Sequence, residues 1–174
     1  MSLNRYLQIS AYPVPVIQHL LHSFEPGTIF AKLDMSQAYQ QFPVDDTATE
    51  LQTIVTHRDA FKCRHLQFGV SVAPGIFQSL MERLLQGLPG VVPYFDDILI
   101  SAIDKPQLLQ GVRAVLDCFR QHGLKLKKDK CTIATKQVEF LGYRIDASGY
   151  QACSTHIYSR QVGRFWGPLV PAAY

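Results

Sequence analysis

The sequence predicts an α+β fold in which an antiparallel sheet is covered by helices on one face. Short β-prone runs come in pairs separated by turn residues, which is typical of antiparallel hairpins. Two longer segments repeat apolar residues at helical spacing and lie between those pairs. The resulting order is strand, hairpin, helix, hairpin, helix, strand. This order favours helices packed on an antiparallel sheet over a parallel sheet with alternating helices.

The first half of the chain predicts one helix, one strand and one hairpin. A stiff extended stretch at 12–15 leads into an apolar helix at 16–24, which a Pro-Gly pair ends. The next predicted elements are a strand at 28–34, a short helix or turn at 35–41, and a hairpin with strands at 51–56 and 61–66. We expect Asp45 and Asp46 to be exposed and assign them no chemistry.

The second half predicts two amphipathic helices and a closing strand or hairpin. Pro74 suits the first turn of a helix at 75–86, and a second helix is predicted at 106–122. Residues 138–145 predict a strand or hairpin, and the tail from 150 has no period and is expected to be poorly packed. The predicted inward-facing residues are Ile76, Phe77, Leu80, Met81 and Leu84 in the first helix, and Leu109, Val112, Val115, Leu116 and Phe119 in the second.

Composition limits the class of protein. The chain has 174 residues, of which 47% are hydrophobic, which is enough for one domain burying about 70% of its unfolded surface. No apolar run approaches the length of a membrane span, and the N-terminus lacks the pattern of a signal peptide. We therefore expect no membrane partner and an intracellular, cytoplasmic protein that is not secreted. The four cysteines have no zinc spacing and are expected to be free thiols.

Charge is distributed unevenly along the chain. Residues 1–104 contain 6 Lys and Arg against 10 Asp and Glu, whereas residues 105–174 contain 11 against 4. A cluster at 125–130 (KLKKDK) supplies much of the basic excess. Such a cluster is either a solvated helix end or a site of attraction for nucleic-acid phosphates.

The acidic half contains three carboxylates that can converge. Asp96 and Asp97 stand between β-prone residues at 94–100 (YFDDILI), which predicts a hairpin with the acids at its tip. An ordinary turn is the alternative, because Asp is a common turn residue. Asp34 ends another predicted strand, and an acid there can approach the pair. Three converging carboxylates are suited to bind two divalent cations in phosphoryl transfer.

Four segments resemble the motifs of reverse transcriptases, in the order of motifs A, B, C and E. They are 33–41 (LDMSQAYQQ), 68–78 (FGVSVAPGIFQ), 94–97 (YFDD) and 140–143 (FLGY). The resemblance is to the enzymes of gypsy-type long-terminal-repeat retrotransposons. It implies an RRM-like polymerase palm at 28–149, preceded at 1–27 by the connection to the fingers and followed at 150–174 by a divergent, poorly ordered tail. On this resemblance, we expect the fingers and thumb to be largely missing from these 174 residues.

The resemblance also implies roles for individual residues. Asp34, Asp96 and Asp97 would be the catalytic carboxylates and, with the backbone carbonyl of Met35, would bind two Mg²⁺ ions, for which Mn²⁺ can substitute. The nucleotide-binding residues would be Met35, Tyr39, Phe68, Gly69 and Gln78. Tyr39 is either the gate against a 2′-hydroxyl or a core residue, and Gln78 either faces the site or is a buried amide.

The resemblance leaves the motif D lysine open among three residues, Lys127, Lys128 and Lys130. Residues 140–143 would form the hairpin that holds the primer end. In the family, the first residue of the 67–69 segment is usually Pro, and Gln67 stands there in this sequence.

Two functional hypotheses follow from the resemblance. The first is an RNA-directed DNA polymerase fragment of a retrotransposon pol polyprotein. It would use an RNA or DNA template with a primer, deoxynucleoside triphosphates, and the fingers, thumb and ribonuclease H parts of a parent polyprotein. The second is a truncated, catalytically inactive relic that at most binds nucleic acid. Intact carboxylates favour the first hypothesis, and the lost positioning by fingers and thumb favours the second. An unrelated RNA-binding sheet is disfavoured, because such sheets stack bases on aromatic residues and need no placed acids.

Overall fold

The computed structural model describes residues 15–22 and 27–153. Residues 12–14 of the extended stretch predicted at 12–15, residues 23–24 of the predicted first helix and residues 154–174 of the tail predicted from 150 lie outside the described residues. The helices are α1 (Ile17–His22), α2 (Asp46–Leu51), α3 (Ala73–Leu84) and α4 (Lys105–Gln121). Short 3-10 helices span Ala38–Gln41 and Lys128–Lys130. The strands are β1 (Ile29–Asp34), β2 (Thr53–Val55), β3 (Ala60–Lys62), β4 (Val91–Tyr94), β5 (Asp97–Ala102), β6 (Thr132–Thr135), β7 (Gln137–Phe140), β8 (Tyr143–Asp146) and β9 (Gly149–Ala152).

The central sheet has four antiparallel strands in the order β4-β5-β1-β6. Strands β4 and β5 form the predicted hairpin, and β5 pairs along its whole length with β1. That register places Asp34 opposite Asp97. Two smaller antiparallel sheets, β2-β3 and β7-β8-β9, complete the described strands. The α+β class with antiparallel sheets is confirmed.

The central sheet is buried on both faces. Ala31, Leu33 and Ile98 pack in one apolar cluster with residues of α3 and α4. Phe30 and Leu99 pack in a second cluster with α1 and with strands β7 and β8. All six residues of β5 are therefore buried. The two long helices cover one face as predicted, and a small sheet with α1 covers the other.

Several predicted details of the helices are wrong. The buried stripe of α4 is Leu108, Val112, Val115 and Phe119, at spacings of three and four residues. Leu109 and Leu116 lie one residue, or about 100°, round from this stripe, so they are partly exposed. Ile76 in α3 is exposed for the same reason. Because apolar residues at helical spacing can fit two neighbouring faces of a helix, sequence reasoning placed these three side chains in the core.

Other differences concern element boundaries. Helix α2 was not predicted, and its last residue is where the strand at 51–56 was expected to begin. The Asp45 carboxylate accepts a hydrogen bond from the Ala48 N–H at 2.7 Å and caps this helix. Strand β6 was not predicted. Strand β9 extends three residues past the predicted boundary at Gly149, into the predicted tail.

The turn that carries the acid pair is held by helix α3. Phe95 adopts a left-handed backbone with φ of 50°, which is unfavourable for a residue with a side chain. The fully buried Gln78 supports this turn: its Oε1 accepts from the Phe95 N–H at 2.7 Å, and its Nε2 donates to the Pro93 carbonyl at 3.0 Å and to Glu82 at 2.8 Å. A side chain 17 residues earlier in the sequence thus fixes the backbone that precedes Asp96.

Replacing Gln78 with Met tests this role in the fold. The substitution keeps the shape of the side chain but leaves the Phe95 N–H and the Pro93 carbonyl without this partner, so the free energy of unfolding should fall by about 2–4 kcal/mol. Urea denaturation of the chain gives this value. Gln110→Met, on the exposed side of α4, is the matched control and should change it by less than about 0.5 kcal/mol. Equal effects of the two substitutions would contradict the assignment.

Candidate active site

Asp34, Asp96 and Asp97 meet at one end of the central sheet. Asp34 is the last residue of β1 and Asp97 is the first residue of β5. Beyond the paired strands, the Met35 N–H donates to the Asp96 carbonyl at 2.8 Å, which ties the acid turn to the segment after Asp34. Asp34 and Asp97 are both buried, with 8% and 7% of their surface exposed. Antiparallel pairing between residues far apart in sequence therefore brings the three acids together.

A cavity of about 410 Å³ opens beside Asp34 and Asp96. Of the predicted site residues, Met35, Tyr39, Phe68, Lys127 and Lys130 also line it. Ser36, Gln37 and Ala38 complete the lining. The cavity lining thus combines two aspartates, two aromatic residues and two lysines.

Other predicted site residues lie away from the cavity lining. Of the two alternatives for Gln78, facing the site or being a buried amide, the structure shows the second, and this amide holds the turn before Asp96. Gly69 has a φ of 85°, and a Cβ at this position would meet nothing within 4 Å, so its backbone conformation explains the glycine. Residues 140–143 form the turn between β7 and β8, with Phe140 paired to Tyr143. Among the three candidate lysines, Lys128 is absent from the lining.

Two lysines compensate the negative charge of the acids. Lys32 Nζ lies 3.1 Å from the Asp97 carboxylate, and Lys130 Nζ lies 3.4 Å from that of Asp34. Sequence reasoning missed Lys32. The signal was present, because Lys32 precedes Asp34 by two residues in a strand and side chains at that spacing share one face.

Burial and mutual repulsion raise the pKa of two of the carboxyl groups. For Asp96, burial is the main cause, the negative charge of Asp34 adds to it, and Lys130 and Lys32 act in the opposite direction. For Asp97, burial again raises the pKa, and Lys32 partly offsets it. Because ionising two buried, neighbouring carboxyl groups is costly, a bound cation stabilises their charged forms more than it would stabilise exposed carboxylates.

Tyr39 forms the aromatic wall of the cavity. Its side chain is 4% exposed, and its ring contacts Phe68 and Phe77 edge to face, with centroid distances of 5.3 and 5.0 Å. Burial, with the charge of Asp96, raises the pKa of the Tyr39 phenol, so the hydroxyl stays protonated at neutral pH. Phe68 is 56% exposed, so it offers an open apolar surface beside Tyr39.

The lysine strap, defined as residues 125–131, lies alongside the segment that carries Asp34. The Lys127 N–H donates to the Asp34 carbonyl at 2.8 Å, and the Ser36 N–H donates to the Lys125 carbonyl at 3.0 Å. The Asp34 N–H in turn lies 3.5 Å from the Cys131 sulfur. Both backbone polar groups of Asp34 are thus held by the strap.

The carboxylate oxygens of this site are suitable ligands for a hard divalent cation. In the structure, however, two of the three carboxylates are paired with lysines. Within the described part of the chain, no group of three His, Cys, Asp or Glu side chains stands close enough to hold one ion. The carboxylate oxygens of Asp34 and Asp96 on one cavity are the ligands that Mg²⁺ and Mn²⁺ prefer. The lysine ammonium beside Asp34 supplies the positive charge that a metal ion would otherwise bring.

No helix in the described ranges is long and apolar enough to cross a membrane.

Solved structures with the same fold include complexes of reverse transcriptases. The chain resembles a foamy viral protease-reverse transcriptase in complex with RNA/DNA hybrid, with a TM-score of 0.82 and 19% identity, over 87% of this chain and 21% of that one. It resembles the same kind of protein in complex with dsDNA with a TM-score of 0.81 and 19% identity, over 88% of this chain and 32% of that one. At this identity, the similarity shows the shared fold.

Sequence relatives show the family. The chain is 35% identical over 148 residues to the uncharacterized protein K02A2.6 of Caenorhabditis elegans, and 32% identical over 157 residues to the transposon Tf2-3 polyprotein of Schizosaccharomyces pombe. These matches cover 85% and 89% of this chain but only 12% of either relative. The family model for reverse transcriptase (RNA-dependent DNA polymerase) matches residues 2–145. The chain therefore belongs to the reverse transcriptase family.

Proposed function

We propose that this chain is the catalytic palm of an RNA-directed DNA polymerase from a gypsy-type retrotransposon, and that it adds deoxynucleotides to a primer 3′-hydroxyl. The observation that carries the proposal is that Asp34, Asp96, Tyr39 and two strap lysines line one shared cavity. Membership of the family and the similar folds in complex with dsDNA and RNA/DNA hybrid support it. On this proposal, the palm spans 28–149, and the fingers, thumb and ribonuclease H belong to a longer parent polyprotein. Cytoplasmic location stays a prediction.

On this proposal, the residues at the site have different roles, which follow from their chemistry. Asp34, Asp96 and Asp97 would hold two Mg²⁺ or Mn²⁺ ions with the Met35 carbonyl. Of the three acids, Asp97 is paired with Lys32 and does not line the cavity. When bound, such ions lower the pKa of the attacking hydroxyl and neutralise charge on the leaving pyrophosphate. Lys127 and Lys130 face the same cavity, where ammonium groups attract the anionic triphosphate. Tyr39 and Phe68 supply the surfaces against which the sugar and base pack.

The geometry favours Lys130 as the motif D lysine. Lys130 lines the cavity and reaches the Asp34 carboxylate, whereas Lys128 does not line it. Lys127 lines the cavity too, while its backbone N–H is bonded to the Asp34 carbonyl. Lys130 is therefore the lysine whose side chain is already beside the catalytic carboxylate.

Removing either cavity carboxylate tests the proposal. Asp34→Asn and Asp96→Asn remove a charged metal ligand with little change of shape, so primer extension on poly(rA)/oligo(dT) with Mg²⁺ or Mn²⁺ should fall by at least about 10²-fold. The assay is run on this chain and on a longer chain that also carries the adjoining fingers and thumb.

The control is Asp117→Asn, an exposed α4 carboxylate that pairs with Arg120, and it should leave extension unchanged. Retained extension in either cavity variant would contradict the metal-site assignment. If neither wild-type chain extends the primer although both are folded, the alternative of an inactive relic that at most binds nucleic acid is correct.

Shortening Tyr39 tests its role in sugar selection. If the ring excludes a 2′-hydroxyl, Tyr39→Ala should raise the ratio of kcat/KM for rUTP to that for dTTP by about tenfold or more. Phe42→Ala is the control, because Phe42 also packs on Phe77, at 5.3 Å, but does not line the cavity. A selectivity ratio that changes equally in both variants would make Tyr39 a core residue only.

The raised carboxyl pKa values predict how metal binding depends on pH. Protons compete with a cation for Asp96 and Asp97 at a higher pH than for an ordinary carboxyl group of pKa about 4. The apparent affinity for Mn²⁺ should therefore fall as pH is lowered from 7 towards 5. Electron paramagnetic resonance of free Mn²⁺ measures it, and an affinity that is constant over this range would contradict the assignment.

A further inference from the structure

The lysine strap brings its ammonium groups to the cavity only if its backbone stays against the segment that carries Asp34. The strap follows α4 and is separated from Asp34 by more than 90 residues of sequence. Its internal hydrogen bonds are those of one short 3-10 turn at Lys128–Lys130 and one from the Cys131 thiol to the Lys127 carbonyl at 3.4 Å. Contacts with other parts of the fold must therefore set where Lys127 and Lys130 stand.

One side chain joins the two segments at three points. The Oε1 atom of Gln41 accepts a hydrogen bond from the Lys125 N–H at 2.5 Å, and its Nε2 donates to the Lys125 carbonyl at 3.0 Å. The same Nε2 also donates to the Ser36 carbonyl, two residues after Asp34. An amide has one carbonyl and two N–H donors, so these contacts use both donors and one acceptor lone pair and fix the orientation of the amide plane.

Gln41 also belongs to the turn that positions the aromatic wall. It is the last residue of the 3-10 helix Ala38–Gln41, which carries the buried Tyr39. Three parts of the cavity are thus linked through one half-buried side chain: the Tyr39 turn, the segment after Asp34 and the start of the lysine strap. The two contacts to Lys125 cross 84 residues of sequence, so no local pattern predicts them.

We propose that Gln41 is a positioning residue that fixes the lysine strap against the Asp34 segment and so sets where Lys127 and Lys130 stand in the nucleotide cavity. Its part in catalysis rests on the proposed function, but its part in holding the strap does not. The backbone bonds from Lys127 and Ser36 continue the same connection towards Cys131. Gln41 anchors the end of the strap nearest α4, where the chain leaves the helix.

The test combines a structural and a functional readout on the full chain. Gln41→Met keeps the length of the side chain and removes all three hydrogen bonds. Gln41→Glu keeps an acceptor for the Lys125 N–H and removes both donors. Gln40→Met is the matched control, because Gln40 is the neighbouring half-buried glutamine of the same turn and does not line the cavity.

The exchange rate of the Lys125 amide hydrogen, followed by NMR, measures how firmly Gln41 holds the strap. Exchange at the Lys125 amide should be about fivefold to tenfold faster in Gln41→Met, from loss of its acceptor and local opening of the strap. It should also be faster than wild type in Gln41→Glu, because a carboxylate oxygen would lie against the Ser36 and Lys125 carbonyl oxygens that Nε2 now bonds. In Gln40→Met it should not change. Unchanged exchange at Lys125 in Gln41→Met would overturn the proposal, whether or not the chain is an enzyme.

Steady-state primer extension measures the consequence for the nucleotide. A displaced strap should raise the KM for dTTP by about tenfold in Gln41→Met, while the dissociation constant for the primer–template stays the same, because the strap lysines face the triphosphate cavity. Faster exchange at Lys125 with an unchanged KM for dTTP would overturn the positioning of Lys127 and Lys130. An inactive wild type with the expected exchange pattern would instead mean that the proposed polymerase function fails and that Gln41 still holds the lysine strap.

Discussion

Repulsion among three carboxylates gathered at the end of one sheet is the constraint on which the rest of the structure depends. Burial makes each charge more costly, and the raised pKa values of Asp96 and Asp97 reflect this cost. Lys32 and Lys130 place a positive charge beside Asp97 and Asp34, which reduces the repulsion without removing it. Such a cluster favours any arrangement that brings further positive charge to the cavity, whether an ammonium group or a bound divalent cation.

The fold holds this unfavourable cluster in place by contacts made elsewhere. Pairing of β1 with β5 fixes Asp34 opposite Asp97, and apolar packing on both faces of the central sheet stabilises that register. Two buried or half-buried glutamines then fix the irregular backbone. Gln78 holds the left-handed turn before Asp96, and Gln41 holds the strap that carries Lys130. Apolar burial therefore provides the stability, and amide hydrogen bonds provide the precise geometry.

Much of the fold could be predicted, because it depends on local patterns. The acid hairpin, α3, α4 and the strand that ends at Asp34 each have a period or a turn signal of their own. The phase of the α4 stripe was missed at Leu109 and Leu116, because a run of apolar residues fits two neighbouring faces. Contacts between distant segments, such as Lys32 with Asp97 and Gln41 with Lys125, depend on tertiary register, which one sequence does not supply. The residue roles implied by the family resemblance stay predictions, although Asp34, Asp96 and Tyr39 do line one cavity.

The central claim is that Asp34 and Asp96 bind a divalent cation, and that this cation replaces the Lys130 ammonium beside Asp34. A crystal structure of the chain soaked with Mn²⁺, with anomalous diffraction data, tests this most directly. We expect an anomalous peak about 2.1–2.2 Å from carboxylate oxygens of Asp34 and Asp96, with the Lys130 ammonium moved away from Asp34. An Asp34 that keeps its contact with Lys130 while Mn²⁺ binds elsewhere, or nowhere, would contradict the account.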